Sequence, residues 1–144
     1  MTFLKDLGLL AARIVLAIIL IFHGWGKVTG FSTYVENFAG MGVPLPSLSV
    51  GLAAAVELIG GALILIGLLT PLAGLAVFLV MLSAYFFAHM GNGVAVDGGG
   101  FELVGAIAAA ALALAAAGAG LYSVDAAIGS ARNRSAKTAA KAAA

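Results

Sequence analysis

An all-α fold, a bundle of four membrane-spanning helices, is what this sequence predicts, and three observations carry the prediction. Of its 144 residues, 63% are hydrophobic and only 9% charged, where a soluble domain carries about a quarter charged residues. The apolar residues fall in four runs, about residues 7–26, 48–69, 71–89 and 101–117. Each approaches the ~20 residues that cross a bilayer, the fourth being short, and none alternates polar with apolar as an outer-membrane strand does.

The first run is a retained helix. Leu7 to Phe22 is apolar but interrupted by Arg13, and His23-Gly24-Trp25-Gly26-Lys27 offers no small-residue cleavage site. In the loop that follows, Ser32 is placed to cap a short helix with Phe31, Val35, Phe38 and Ala39 on one face and Gly40 at its end. That helix lies in the interface over the mouth of the bundle, or the stretch is an ordinary packed loop. Thr70-Pro71 turns the chain sharply between the second and third spans, with Pro71 suited to a first helical position. Residues 90–100, with Gly91, Gly93, Gly98, Gly99 and Gly100, read as a flexible link. Those glycines neither follow a strand nor hold the phosphate-loop spacing, which excludes nucleotide binding by that route.

Residues 1–128 thus form the transmembrane domain, and residues 129–144 a basic, Ala-rich tail, disordered or a frayed helix, beside anionic lipid. Four spans put both termini on one side. Lys5, Arg132, Arg134, Lys137 and Lys141 outnumber the loop cation Lys27, so that side is cytoplasmic and the protein is multi-pass in the plasma (inner) membrane. The short basic tail alone does not support nucleic-acid binding. Cysteine is absent, which excludes disulfides, thiolate-held iron–sulfur clusters and thiol chemistry.

A weak internal repeat relates Val56-Glu57-Leu58-Ile59-Gly60-Gly61 to Phe101-Glu102-Leu103-Val104-Gly105-Ala106, and spans one and three each end in a histidine. Two related helical hairpins, with an axis along the membrane normal, would account for both features.

Ionisable groups inside apolar spans are rare and costly, so they mark a candidate site. Measured from the inner end of each span at ~1.5 Å per residue, His23 lies ~24 Å up, Glu57 ~20 Å, His89 ~27 Å and Glu102 ~24 Å. Helical side chains lean toward their own N-terminus, so His23, Lys27 and His89 lean down while Glu57 and Glu102 lean up, and cations meet carboxylates. Gly60, Gly61, Gly105 and Ala106 let neighbouring helices close in. Arg13, nearer the inner end, snorkels to headgroups or pairs upward with Glu57. Trp25 and Tyr34 read as interfacial anchors, and Tyr85 as core.

Four readings of this polar layer stand at this point. It is a structural ion-pair cluster that fixes helix register, a proton-handling or quinone-binding pocket, a haem b site between His23 and His89, or a metal site of two His and two Glu. No metal is assigned.

Arg13, Phe22-His23-Gly24-Trp25-Gly26-Lys27, Glu57 with Gly60-Gly61, Gly67-Leu68-Leu69-Thr70-Pro71, Glu102 and Gly118-Ala119-Gly120-Leu121-Tyr122-Ser123-Val124-Asp125 follow in this order along the chain. Over about residues 7–127 this set resembles the DoxX family of small four-helix membrane proteins. The resemblance implies association with membrane oxidoreductase systems: thiosulfate oxidation with quinone as acceptor, or complexes that handle oxidative and thiol stress. The expectation is therefore a small subunit of a quinone-linked oxidoreductase complex, working with other redox subunits or with a soluble redox or sulfur-transfer enzyme, and able to self-associate. A non-enzymatic scaffold or assembly factor is the alternative, and a small transporter a third.

Overall fold

The computed structural model describes residues 2–142, and among them every regular element is a helix. Helix α1 (Thr2–Thr29) is followed by a short helix α2 (Phe31–Gly40), then by α3 (Pro46–Ile66) and α4 (Thr70–Ala84). Helix α4 runs on into one π-helical turn, Tyr85–His89. A 3-10 turn, Val96–Gly98, precedes α5 (Glu102–Ala117), and α6 (Val124–Ala142) closes the described chain. Three stretches, Phe3–Thr29, Pro46–Ile66 and Thr70–His89, are long and apolar enough to cross a membrane. Helix α5 has 16 residues, ~24 Å of rise against a hydrocarbon core of ~30 Å.

Local chemistry sets the breaks. Helix α1 continues past His23 to Thr29, and a single residue, Gly30, turns the chain into α2. The Gly30 N–H donates to the Gly26 carbonyl (2.9 Å), and the Gly30 carbonyl accepts from the Tyr34 N–H (3.1 Å). Gly30 therefore takes the capping position, and Ser32, expected there, lies inside the helix. Pro46 opens α3, its fixed φ suited to a first turn that needs no N–H partner. At the other end Gly67 adopts φ 69°, and the N–H groups of Gly67 and Leu68 return to the carbonyls of Ile64 and Leu63. That left-handed stop satisfies the last carbonyls of α3. Thr70-Pro71 then starts α4, as the sequence predicts.

Leu16 and Leu20 of α1, Ile64 of α3, Ala73, Val77 and Met81 of α4, and Ile107, Ala111 and Leu114 of α5 form one buried core. Small residues bring the helices together. A Cβ on Gly61 would lie 3.2 Å from the Leu20 side chain of α1, and one on Gly74 would lie 2.6 Å from the Ala111 carbonyl of α5. Such close approach is how helices associate where lipid removes the hydrophobic drive between them. Gly105, expected to serve the same purpose, meets only the Phe101 ring of its own segment.

Of the two readings of the basic tail, the helical one matches the structure: α6 runs to Ala142, started by the Ser123 hydroxyl accepting from the Ala126 N–H (3.1 Å). One expectation about irregular segments is corrected, since the glycine-rich link is ordered. The N–H groups of Gly100, Phe101 and Glu102 donate to the carbonyls of Ala95, Gly93 and Val94, and the Asn92 side chain donates to the Ala88 carbonyl. Glycine count there reflects tight turns, with φ above 75° at Gly91, Gly93 and Gly99.

Candidate functional site

Near the α2 end of the helices lies a cavity of about 550 Å³. Its walls come from α1, α3, α4, the π-helical turn and α5, and α2 covers it. Most of the lining is apolar, including Leu20, Leu52, Leu79, Met81, Phe87 and Ile107. Against that surface stand a few polar side chains: His23, Lys27, Tyr34, Ser49, Glu57, Ser83 and His89.

Lys27 and Glu57 form the centre of this group. The Lys27 Nζ donates to both carboxylate oxygens of Glu57, at 3.0 Å to Oε1 and 2.7 Å to Oε2. Both residues are buried, at 9% and 3% exposure. Helix direction brings them together, since α1 and α3 run oppositely and each side chain leans back along its own helix. Gly24 makes the approach possible. A Cβ there would stand 2.8 Å from Leu58 Cγ and 3.0 Å from Glu57 Cβ, so only glycine lets α3 close onto this stretch of α1. A buried ammonium or carboxylate alone would be strongly disfavoured, and each makes the other tolerable.

His23 also lines the cavity, its ring edge-on to Phe22 with centroids 5.5 Å apart. His89 arrives from the π-helical turn, a departure from α-helical register of the kind that recurs at functional sites. Its Nδ1 lies 2.7 Å from the Gly99 carbonyl. A carbonyl only accepts, so Nδ1 carries the proton and Nε2 is the ring's remaining nitrogen.

Of the layer predicted from sequence, the structure brings His23, Lys27, Glu57 and His89 to one cavity and leaves Glu102 out. Glu102 is exposed, and its Oε1 accepts the Val96 N–H at 2.8 Å. As the first residue of α5 it leans out of the helix altogether, onto the turn before it, where an acidic group also complements the helix dipole. The two-His, two-Glu metal arrangement is therefore not assembled, and among the described residues no three His, Asp or Glu side chains gather as a metal site.

Tyr34 is likewise not the interfacial anchor expected. It faces the cavity with Phe38, and its ring lies under the Lys27 ammonium at 5.4 Å. The signal lies in the spacing: Tyr34 and Phe38 fall at i and i+4, so they share a helix face, and Phe38 already belongs to the apolar face read from sequence. Trp25, by contrast, is 61% exposed, and Tyr85 is half-buried edge-on to Phe86 and Phe101.

A second polar centre occupies the far end of the helices. Arg13 is 1% exposed and neither snorkels nor reaches Glu57. Its guanidinium donates to four backbone carbonyls: Nε to Ile64 (2.8 Å), Nη1 to Ala119 (2.9 Å) and Tyr122 (2.8 Å), and Nη2 to Leu65 (2.7 Å). The cation thereby ties the C-terminal end of α3, where the helix dipole favours positive charge, to the linker before α6. Gly67 makes room, since a Cβ there would lie 2.7 Å from Arg13 Cζ.

Asp125 completes this centre. Its Oδ1 accepts the Leu69 N–H (2.9 Å) and its Oδ2 the Thr70 N–H (3.0 Å), which caps α4, and its own N–H donates to the Gly67 carbonyl (2.9 Å). Burial alone would raise the Asp125 carboxyl. The Thr70 and Leu69 N–H groups, with the Arg13 charge, outweigh it and hold the group below its ordinary range. Asp6 adds a further tie, accepting the Leu121 N–H at 2.9 Å. These contacts gather Arg13, the turn from Gly67 to Thr70 and the segment from Ala119 to Asp125, distant in sequence, into one place.

The DoxX family model covers residues 8–90. The inner membrane protein YqjF of Escherichia coli (strain K12) is 35% identical over 122 residues, 85% of this chain and 92% of that protein. The inner membrane protein YphA of the same organism is 35% identical over 122 residues, 81% and 87% of the two chains. The protein named "Putative oxidoreductase CatD" in Bacillus subtilis (strain 168) is 35% identical over 79 residues, 55% of this chain and 58% of that one. No solved structure matches.

Proposed function

The chain belongs to the DoxX family of membrane proteins, and from that premise we propose that it is a small subunit of a quinone-linked membrane oxidoreductase complex whose cavity holds the quinone head. The observation that carries this reading is the cavity itself. At about 550 Å³ it falls within the ~300–1,000 Å³ of small-molecule sites, with apolar walls and a few convergent polar groups. A quinone supplies two-electron, two-proton chemistry when bound. The chain's own residues bind and orient: Lys27 offers a donor to a ring oxygen, His23 and His89 stand by, and Tyr34 and Phe38 pack on the head. In this reading the electrons come from a partner, another redox subunit or a soluble redox or sulfur-transfer enzyme, since without cysteine this chain offers neither a thiol nor a thiolate-held cluster.

In the same reading α5 is the fourth span of the bundle and the two hairpins, α1–α3 and α4–α5, are related units. Lys5 and the basic α6 then lie in the cytoplasm, α6 against anionic lipid, and the cavity opens toward the outer face. The name of the Bacillus subtilis relative, "Putative oxidoreductase CatD", supports the redox assignment. A scaffold role is favoured by one observation, that Lys27 and Glu57 already satisfy each other. The two readings separate on purification from native membranes with solvent extraction. Quinone retained in near-stoichiometric amount, and lost on Leu52→Trp substitution in the cavity wall, is the expected result; repeated absence of quinone from the intact complex would leave the scaffold.

A further inference from the structure

We infer that the ligand of this cavity is an uncharged molecule and that Glu57 is the residue that excludes anions from it. The inference rests on the proposal that the cavity is a ligand site, but it is carried by separate observations. The titratable side chains lining the cavity are His23, Lys27, Tyr34, Glu57 and His89. Lys27 is the permanent cation among them, and the one group able to draw an oxoanion such as thiosulfate into an apolar chamber. Both oxygens of Glu57 already sit on its ammonium, at 3.0 and 2.7 Å, in a pair shielded from water.

The Lys27 and Glu57 charges cancel at this wall of the chamber. An incoming anion either displaces a carboxylate held in place by the chain or sits beside it, and in both cases one buried negative charge is left without a cation of its own. A neutral ligand meets no such obstacle. The ammonium has a third N–H beyond the two on Glu57, available to a carbonyl or hydroxyl oxygen. At His89 the Nδ1–H donates to the Gly99 carbonyl, so in the neutral ring Nε2 is the acceptor. One donor and one acceptor on an otherwise oily wall suit a neutral carbonyl or hydroxyl compound. A sulfur oxoanion would then be handled by a partner subunit.

The test uses the full chain in detergent micelles at about pH 8, above the titration range of a free imidazole. Equilibrium dialysis measures radiolabelled thiosulfate, and decylubiquinone is measured against empty micelles. The wild type is expected to bind the quinone and not thiosulfate. Glu57→Gln unmasks the Lys27 charge and is expected to gain thiosulfate binding by at least about tenfold, a gain the Lys27→Met/Glu57→Gln double variant loses again. Should Glu57→Gln not fold, Glu57→Asp, with its carboxylate drawn back by one methylene, is expected to show a smaller gain. Thiosulfate binding to the wild type that disappears in Lys27→Met would overturn the inference while keeping the cavity as a ligand site, and so would variants that gain nothing. Quinone and thiosulfate both failing on the wild type would overturn the inference together with the proposed function.

Discussion

Lys27 of α1 and Glu57 of α3 face each other as a two-bond ion pair, with the ammonium 3.0 and 2.7 Å from the carboxylate oxygens and both residues buried. Removing one partner strands the other in a low-dielectric interior at about 3–5 kcal/mol, whereas replacing both with apolar groups is close to neutral. Lys27→Met and Glu57→Leu are therefore each expected to lower the denaturation midpoint in detergent markedly, and Lys27→Met/Glu57→Leu to recover most of the loss. A double variant as unstable as the sum of the singles would show that the pair contributes no coupling.

Arg13 holds the opposite end of the molecule through four carbonyls on two segments. Arg13→Leu leaves those carbonyls without their donor, and a loss of more than ~3 kcal/mol is expected, given ~1.5–3 kcal/mol per charge-assisted bond. Arg13→Lys should rescue little, because a compact ammonium cannot reproduce the planar fork. Thermal melts of the three proteins check this; an Arg13→Lys melt equal to wild type would contradict the fork's role.

Gly24 is the residue that lets α1 and α3 approach at the ion pair. Gly24→Ala forces a side chain to within 2.8 Å of Leu58 Cγ, and overpacking of this kind costs about 1–3 kcal/mol. Gly8, in the same helix, faces open space, so Gly8→Ala should be neutral or gain up to ~1 kcal/mol from helix propensity. Melts of the two variants provide the comparison.

Asp125 caps α4 with a carboxyl held below its ordinary range. Because its folded value is depressed, its stabilisation is fully present above the unfolded carboxyl value of ~3.9 and is lost as pH falls through the folded value. Asp125→Asn should lose roughly 1 kcal/mol of capping at neutral pH and show a smaller drop in stability on acidification. An unchanged acid limb in Asp125→Asn would place that pH dependence elsewhere.

Three of the four expected spans, and the meeting of Lys27 with a carboxylate of another helix, follow from regularities that sequence carries: apolar run length, and the N-terminal lean of helical side chains. Glu102 broke the same rule by standing first in its helix, where the lean carries a side chain into the preceding turn. Boundary uncertainty of one residue decides such a case. Arg13 was misread for a different reason. Its partners are carbonyls of Ile64, Leu65, Ala119 and Tyr122, and a backbone acceptor leaves no mark in residue identity. Tyr34 was assigned by residue type rather than by its spacing to Phe38, and the spacing was the better guide. The glycine-rich link looked flexible because glycine count does not distinguish freedom from a requirement for positive φ.

The proposed quinone site is tested most directly by photolabelling the protein in native membranes with an azidoquinone and mapping the modified residues by mass spectrometry. Labels on the cavity face of α2 (Tyr34, Phe38) and on residues 79–89, suppressed by excess unmodified quinone, are the expected result. Labels confined to exposed positions such as Phe22, Trp25 and Leu72, and unaffected by competitor, would contradict it.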